Sequence, residues 1–435
     1  MTQTPASSQV LVVGAGLSGL RCASLLASRG IETLVLEASD GIGGRARTDR
    51  IDGFSLDRGF QVLLTSYPEA RDAFDYGRLG LGSFEPGAFI RHDDDFAPLT
   101  DPIRRPTAAL SAATTPVATI RDKIRLARLR FDLAGKDPAR IAAEPQVPTG
   151  QYLERLGFSR AVVENFFRPF FGGVLIDPDL ATTSALFQLY FGFFSTGDAA
   201  LPTGGMGALA EQLAEGLPEG SIRLGVEVDR LGDNQVLLTD GSVIEARVIV
   251  VATDERAAAG LLGLTPPSDS SDTTCLYFDA SEGDIPDRLA RTLLLAGNGP
   301  GPINEVAFPS LVSDGYAPSG RVLVSVSAVG AEARRDDLDS AVRTQLADWF
   351  GASVVDGWRS LASYPIEHAL PSFPPGRFAP ESIPAEVRPG VFRCGDHLES
   401  PSIQGALLSG RRAADAVTGA LSTGADTSAT ATGAR

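Results

Sequence analysis

The sequence predicts an α/β protein organised around one nucleotide-binding βαβ unit. Three observations predict it. An apolar, β-branched run, Val10-Leu11-Val12-Val13, enters a glycine turn. A helical run follows the turn and ends at Gly30. A second strand, Ile31 to Leu36, then ends in an acid, Glu37. That order is the Rossmann-like fingerprint, and each part has a physical role. Gly14 permits the tight turn. Gly16 removes a side chain where backbone N–H groups must approach a pyrophosphate. Gly19 lets the helix pack closely on the strand. The helix N-terminus then offers unpaired N–H groups and a dipole that favours an anion. Glu37 is placed to accept from ribose hydroxyls. With 47 glycines in the chain, the turn alone would carry little weight; the strand, helix and acid around it carry the argument.

Gly41-Ile42-Gly43-Gly44-Arg45-Ala46-Arg47-Thr48 follows directly. Guanidinium groups pair bidentately with phosphate, so both arginines suit a pyrophosphate. Glu37 followed by Gly43-Gly44-Arg45 and Thr48 resembles the extended FAD fingerprint of the flavin-containing amine oxidase superfamily. That group takes in phytoene desaturases, protoporphyrinogen oxidases and monoamine and polyamine oxidases. The resemblance implies FAD as cofactor. It also implies a discontinuous FAD-binding domain with an inserted mixed-sheet substrate domain and a helical cap. The expected boundaries are 1–64, 200–262 and 386–420 for the FAD domain and 65–199 for a mainly helical cap. The substrate sheet would span 263–385, with a disordered Ser/Thr/Ala/Gly tail over 421–435.

Composition narrows the partners. The net charge of −16 argues against nucleic acid. The three cysteines, Cys22, Cys275 and Cys394, are scattered, as are the three histidines, so neither a disulfide framework nor a metal site is expected. The N-terminus shows no apolar signal region and no run reaches membrane-spanning length, which predicts a cytoplasmic protein. The helix expected over Ile120–Leu133 carries Arg121, Lys123, Arg125, Arg128 and Arg130, with Ile124, Ala127 and Phe131 at helical spacing. A solvated basic face on a core-packed helix is the commoner arrangement. Peripheral contact with an anionic membrane is the alternative.

Phe54 to Leu63 reads as a strand ending at the ligand. In the resembled family its Asp-x-Gly segment runs beneath the flavin ring, which implies that Gly59 and Gln61 lie near the isoalloxazine. Nine of the 22 phenylalanines fall between Phe158 and Phe194. Most should be core, yet Pro169, Gly172 and Gly173 interrupt them, as in the wall of an apolar cavity. In the family the matching insert roofs the substrate. Ser221 to Thr253 reads as strands with an Asp240-Gly241 hairpin turn. The resemblance places the Val228 backbone against adenine. Near the C-terminus a strand ends in Gly395-Asp396, and Gln404-Gly405-Ala406 lies at the start of a helix. By the same resemblance Asp396 binds a hydroxyl of the cofactor, and the amides of Gln404, Gly405 and Ala406 face the flavin N1–O2 edge, where a helix N-terminus stabilises negative charge.

One dinucleotide fingerprint and no second implies that a substrate, not NAD(P)H, reduces the flavin. Oxygen or a quinone would take the electrons. Many amine oxidases of the family place a lysine beside flavin N5, and this chain has no lysine after Lys136. Arginine does not give up a proton and cannot stand in for it. The expected substrate is therefore lipophilic, an isoprenoid-like compound being one candidate, for a desaturase- or dehydrogenase-type reaction. An amine oxidase and a non-catalytic flavin-binding subunit are the other readings. Tyr364 and His368, just upstream of the C-terminal motif, are candidate catalytic residues with Gln61; histidine titrates near neutral pH. The sequence leaves the oligomeric state open.

Overall fold

A computed structural model describes residues 7–100, 104, 115–267 and 271–432. The N-terminal residues 1–6 and most of the stretch between Thr100 and Thr115 lie outside them. Two large sheets carry the fold. The first has eight strands in the order Ile222–Arg223, Thr33–Leu36, Ser7–Val13, Val243–Val251, Gln235–Leu238 and Val228–Leu231. Val391–Arg393 also pairs with Val243–Val251, and Glu386–Arg388 flanks it. Ser7–Val13 is central and parallel to both neighbours, with Val10 opposite Thr33 on one side and Val248 on the other. Val10, Leu11 and Val12 are fully buried. A strand covered on both faces has no polar side to alternate with, which is why it reads as a continuous apolar run. The Leu17–Ser28 helix packs on it and against the C-terminal helix, Ile403–Thr432. That helix takes in most of the tail expected to be disordered, since no proline stops it.

The second sheet has seven strands: Arg359–Ile366, Thr273–Ser281, Arg321–Val329, Glu305–Ala307, Leu293–Leu295, Gly87–His92 and Asp95–Thr100. The last two form a hairpin that lies inside the stretch expected to be mainly helical. Asp93-Asp94 and Pro98 mask it as turn-rich sequence, although Ala88 and Ile90 alternate as a buried face should. One face of the sheet, including Leu276, Phe278, Val324 and Val326, packs beneath the Leu338–Phe350 helix. Alternation sends Cys275, Tyr277 and Ala307 to the other face, against the nucleotide unit.

Between these lies a helical cap. Its helices include Ile120–Leu133, Thr149–Arg155, Arg168–Leu175 and Ser184–Thr196, with a π-helical turn at Val163–Phe167. Phe158, Phe167, Phe171 and Phe187 form its core, with neighbouring ring centroids 4.6–6.4 Å apart. Among the described residues no helix is long and apolar enough to cross a membrane.

Candidate active site

The glycine turn is built as the fingerprint requires. Gly14 has φ +107°, and a Cβ there would sit 2.9 Å from the Ala252 carbonyl oxygen. A Cβ on Gly19 would overlap the Gly14 carbonyl, whereas one on Gly16 would meet nothing within 4 Å. The loop is therefore tight on its protein side and open at Gly16, which fits a dinucleotide passing over that residue. Gly43 bridges to Gly16, and its amide donates to the Ala15 carbonyl at 2.8 Å. The Glu37 carboxylate accepts from the amides of Ala15 at 2.8 Å and Ser39 at 3.0 Å, which fixes it at the strand end. Val228, half-buried, pairs with Leu238 on the opposite sheet edge.

The arginines depart from the expectation that both serve phosphate alone. Arg45 donates to the Asp396 carboxylate at 2.7 Å and to the Ala369 carbonyl at 2.9 Å, while Arg47 pairs with Asp40 at 2.8 Å. Arg45 therefore ties the Gly43-Gly44 turn to the C-terminal motif, and Asp396, buried, has a counter-charge from the chain itself. The C-terminal helix departs too. The amides of Gly405 and Ala406 are taken by the Ser402 hydroxyl and carbonyl, at 3.1 and 2.9 Å. The Gln404 side chain turns away to accept from the Glu69 amide. Only the first amides, of Ile403 and Gln404, stand at the open end of the helix. The serine at the cap position was the signal for this arrangement.

At the other end of the site, Gly59 has φ +96° and a Cβ there would lie 2.8 Å from Ile366. The Gln61 amide donates to the Arg45 carbonyl at 2.6 Å and lies 3.4 Å from that of Arg58. Arg58 holds Asp49 bidentately, both contacts at 3.0 Å, and the Tyr364 hydroxyl donates to Asp49 at 2.9 Å. Gln61 and Tyr364 thus share one polar network. Burial, reinforced by Asp49, raises the Tyr364 phenol above its ordinary range, so its proton stays in place at neutral pH. His368 is outside this network. Its backbone is left-handed, φ +54°, and its amide donates to Asp272.

Asp49, Arg58 and His397 were not singled out by sequence. His397 is buried, its Nδ1 has no partner among the described residues, and burial pushes its pKa down to about 4, against the pull of Asp396. A neutral imidazole beside Gly395-Asp396 with a spare nitrogen fits a polar ligand there. Two carboxyls are also buried. Asp57 binds the Thr48 and Tyr316 hydroxyls and the Met206 amide, and burial lifts its pKa to about 6. Glu305, against Asn304 and beneath Gly173, is lifted to about 7, again by burial. For a carboxyl raised in the fold, the neutral form is the stabilised one. Its contribution is complete below the unfolded value and is lost as pH rises through about 7. Glu305→Gln is therefore expected to melt near the parent at pH 5 and above it at pH 8; a melting-temperature gap independent of pH would refute this.

A cavity of about 500 Å³ reaches Phe60. Phe60, Val62, Phe84, Leu126, Phe166, Phe170, Val174, Phe191, Phe194 and Leu293 line it. Arg104, Lys123, Arg130 and Glu85 are the charged groups of its wall. Four phenylalanines of the cap stretch thus face a cavity, while Phe158, Phe167, Phe171 and Phe187 are core. Phe193 packs edge-on against Tyr67.

Residues 17–418 match the family model for flavin-containing amine oxidoreductases. Coproporphyrinogen III oxidase of Propionibacterium freudenreichii subsp. freudenreichii is 26% identical, covering 94% of this chain and 90% of its own. Phytoene dehydrogenase of Streptomyces griseus is 25% identical, covering 94% and 95%. Among solved structures, cyclohexylamine oxidase from Brevibacterium oxydans IH-35A superposes with a TM-score of 0.67 at 18% identity, covering 95% of this chain and 99% of that one.

Proposed function

Because the chain belongs to the flavin-containing amine oxidoreductases and is an FAD-dependent oxidoreductase, we propose that it dehydrogenates a lipophilic substrate. The observation that carries this reading is the cavity, walled by aromatic and aliphatic side chains and reaching Phe60, between Gly59 and Gln61. Apolar walls with a few placed polar groups select a large apolar body and fix its orientation. The charged groups of the same wall are engaged within the protein: Arg104 pairs with Asp198 and donates to the Gly197 carbonyl, and Lys123 donates to the Thr115 carbonyl, which leaves the apolar lining to set the choice of substrate.

The fingerprint residues Gly14, Gly16, Gly19 and Glu37 would hold the adenosine and pyrophosphate, with Gly43, Gly44 and Arg45 beside them and Val228 at the adenine. Asp396, Gly395 and the start of the C-terminal helix would hold the ribityl and ring end. FAD held by these residues would supply two-electron redox chemistry between the substrate and an acceptor such as oxygen or a quinone. The chain's own part is position and exclusion of water. Gly59, whose left-handed backbone leaves no room for a side chain beside Ile366, would let the backbone approach the ring. Gln61 and Tyr364 present a fixed network whose protons are donors at neutral pH. His368, on its left-handed turn, is the candidate proton acceptor at the substrate. The relatives named coproporphyrinogen III oxidase and phytoene dehydrogenase support the same reading.

The test is anaerobic titration of the yellow protein. Lipophilic compounds are expected to bleach the flavin band, and NADH and NADPH are not. Bleaching by simple amines, with peroxide on admission of air, would instead establish an amine oxidase.

A further inference from the structure

The basic helix Ile120–Leu133 faces the opposite way from its sequence expectation. Its inner side is set by Leu129 and Leu133, both buried, and by Asp122, which caps its own helix at Thr119 and accepts from Ser159 at 2.7–2.8 Å. Gly192 lets the partner helix approach so closely that a Cβ there would lie 2.7 Å from the Leu133 carbonyl. Ile124, Ala127 and Phe131, expected inside, are outside. Ile120 is 74% exposed, Ile124 64% and Phe131 69%. With Ala127 they form an apolar stripe at i, i+4, i+7 and i+11 that runs the length of the helix. The exposed Arg121 and Arg128 border the stripe.

Large side chains in an unbroken line toward water are uncommon on a soluble helix. We propose that this helix seats the protein on a bilayer bearing anionic lipid. Two observations favour that occupant. The helix holds five basic residues against Asp122 and Asp132, in a chain of net charge −16, and two of them, the exposed Arg121 and Arg128, stand beside the apolar stripe. An amphipathic helix with that pattern lies in the lipid interface, apolar side chains among the acyl chains and arginines at the headgroups. The helix is also a wall of the cavity, through Lys123, Leu126, Ala127 and Arg130. The seated face and the cavity wall therefore share one element, which sets the cavity beside the bilayer when the helix is seated. A second copy is the poorer occupant, because a two-fold contact would set one basic stripe against another. Seating stands on the helix alone and not on the function proposed above.

The test is flotation of the flavin-loaded protein with vesicles of phosphatidylcholine, with and without phosphatidylglycerol. Binding is expected to the anionic vesicles and to weaken in high salt. Ile124→Ser with Phe131→Ser should lower the partition coefficient about tenfold or more. Arg121→Gln and Arg128→Gln should each lower it about fivefold. All four positions are exposed or nearly so, and thermal melts should be unchanged. Phe131→Trp should show a blue-shifted emission on the vesicles. Failure of the parent to float, equal flotation of the double serine variant, or a dimer in solution that this variant dissociates would each overturn the proposal. No arm uses turnover, so failure of the substrate reading leaves the result interpretable.

Discussion

Gly16→Val is expected to give a folded, colourless protein. A Cβ at this position meets nothing within 4 Å, and its backbone, φ −73° and ψ 176°, is one that valine adopts readily. The apoprotein should therefore melt close to the parent. The added side chain occupies the open space over which the pyrophosphate would run, so FAD affinity should fall on the order of a hundredfold or more, about 3 kcal/mol. Gly19→Val is the contrasting variant. There the Cβ overlaps the Gly14 carbonyl and comes within 3.0 Å of Ala252, so the helix must move off the strand and the fold itself should suffer. Bound flavin at parental occupancy in folded Gly16→Val would refute the placement of the cofactor.

Phe171→Ala and Phe170→Ala are expected to separate stability from substrate choice, although the two residues are adjacent. Phe171 is fully buried, with Phe187 at 4.6 Å, and truncating it leaves a void in the cap core. The cost should be about 3–5 kcal/mol. Phe170 stacks on Phe166 at 5.4 Å and lines the cavity, where solvent or substrate can fill the space it leaves. Its truncation should cost much less and should change which compounds bleach the flavin. Thermal melts and anaerobic titrations of both variants decide the matter; equal destabilisation with an unchanged substrate profile would remove Phe170 from the substrate wall.

Those adjacent residues also show what could be read from the sequence. The density of phenylalanine pointed to a cavity wall, yet which rings face inward depends on the π-helical turn at Val163–Phe167, which has no sequence signature of its own. The nucleotide turn was legible because its chemistry is local: turn, close approach and acid all fall within Val10–Glu37. The Arg45–Asp396 pair was not, because its members are distant in sequence and only the sheet topology brings them together. The Asp49–Arg58–Tyr364 network was hidden for the same reason. The helix Ile120–Leu133 was misread because its apolar periodicity is real, and periodicity states that a helix has an apolar side without stating what covers it.

That dependence on distant segments also governs assembly during synthesis. Val10 lies opposite Val248, and Ile249 opposite Val391. The central strand thus ends at Val13, while one of its two parallel neighbours begins only at Val243, more than 200 residues later in synthesis. At typical translation rates that is a wait on the order of ten to fifty seconds. Throughout it Ser7–Val13 has Thr33–Leu36 on one side and an open row of N–H and C=O groups on the other. Loop-closure entropy opposes the later pairing only weakly, but a high contact order makes it slow. The nascent chain therefore carries this apolar strand with one edge unprotected until Val243–Val251 is made, and it is in that interval that a chaperone has something to bind.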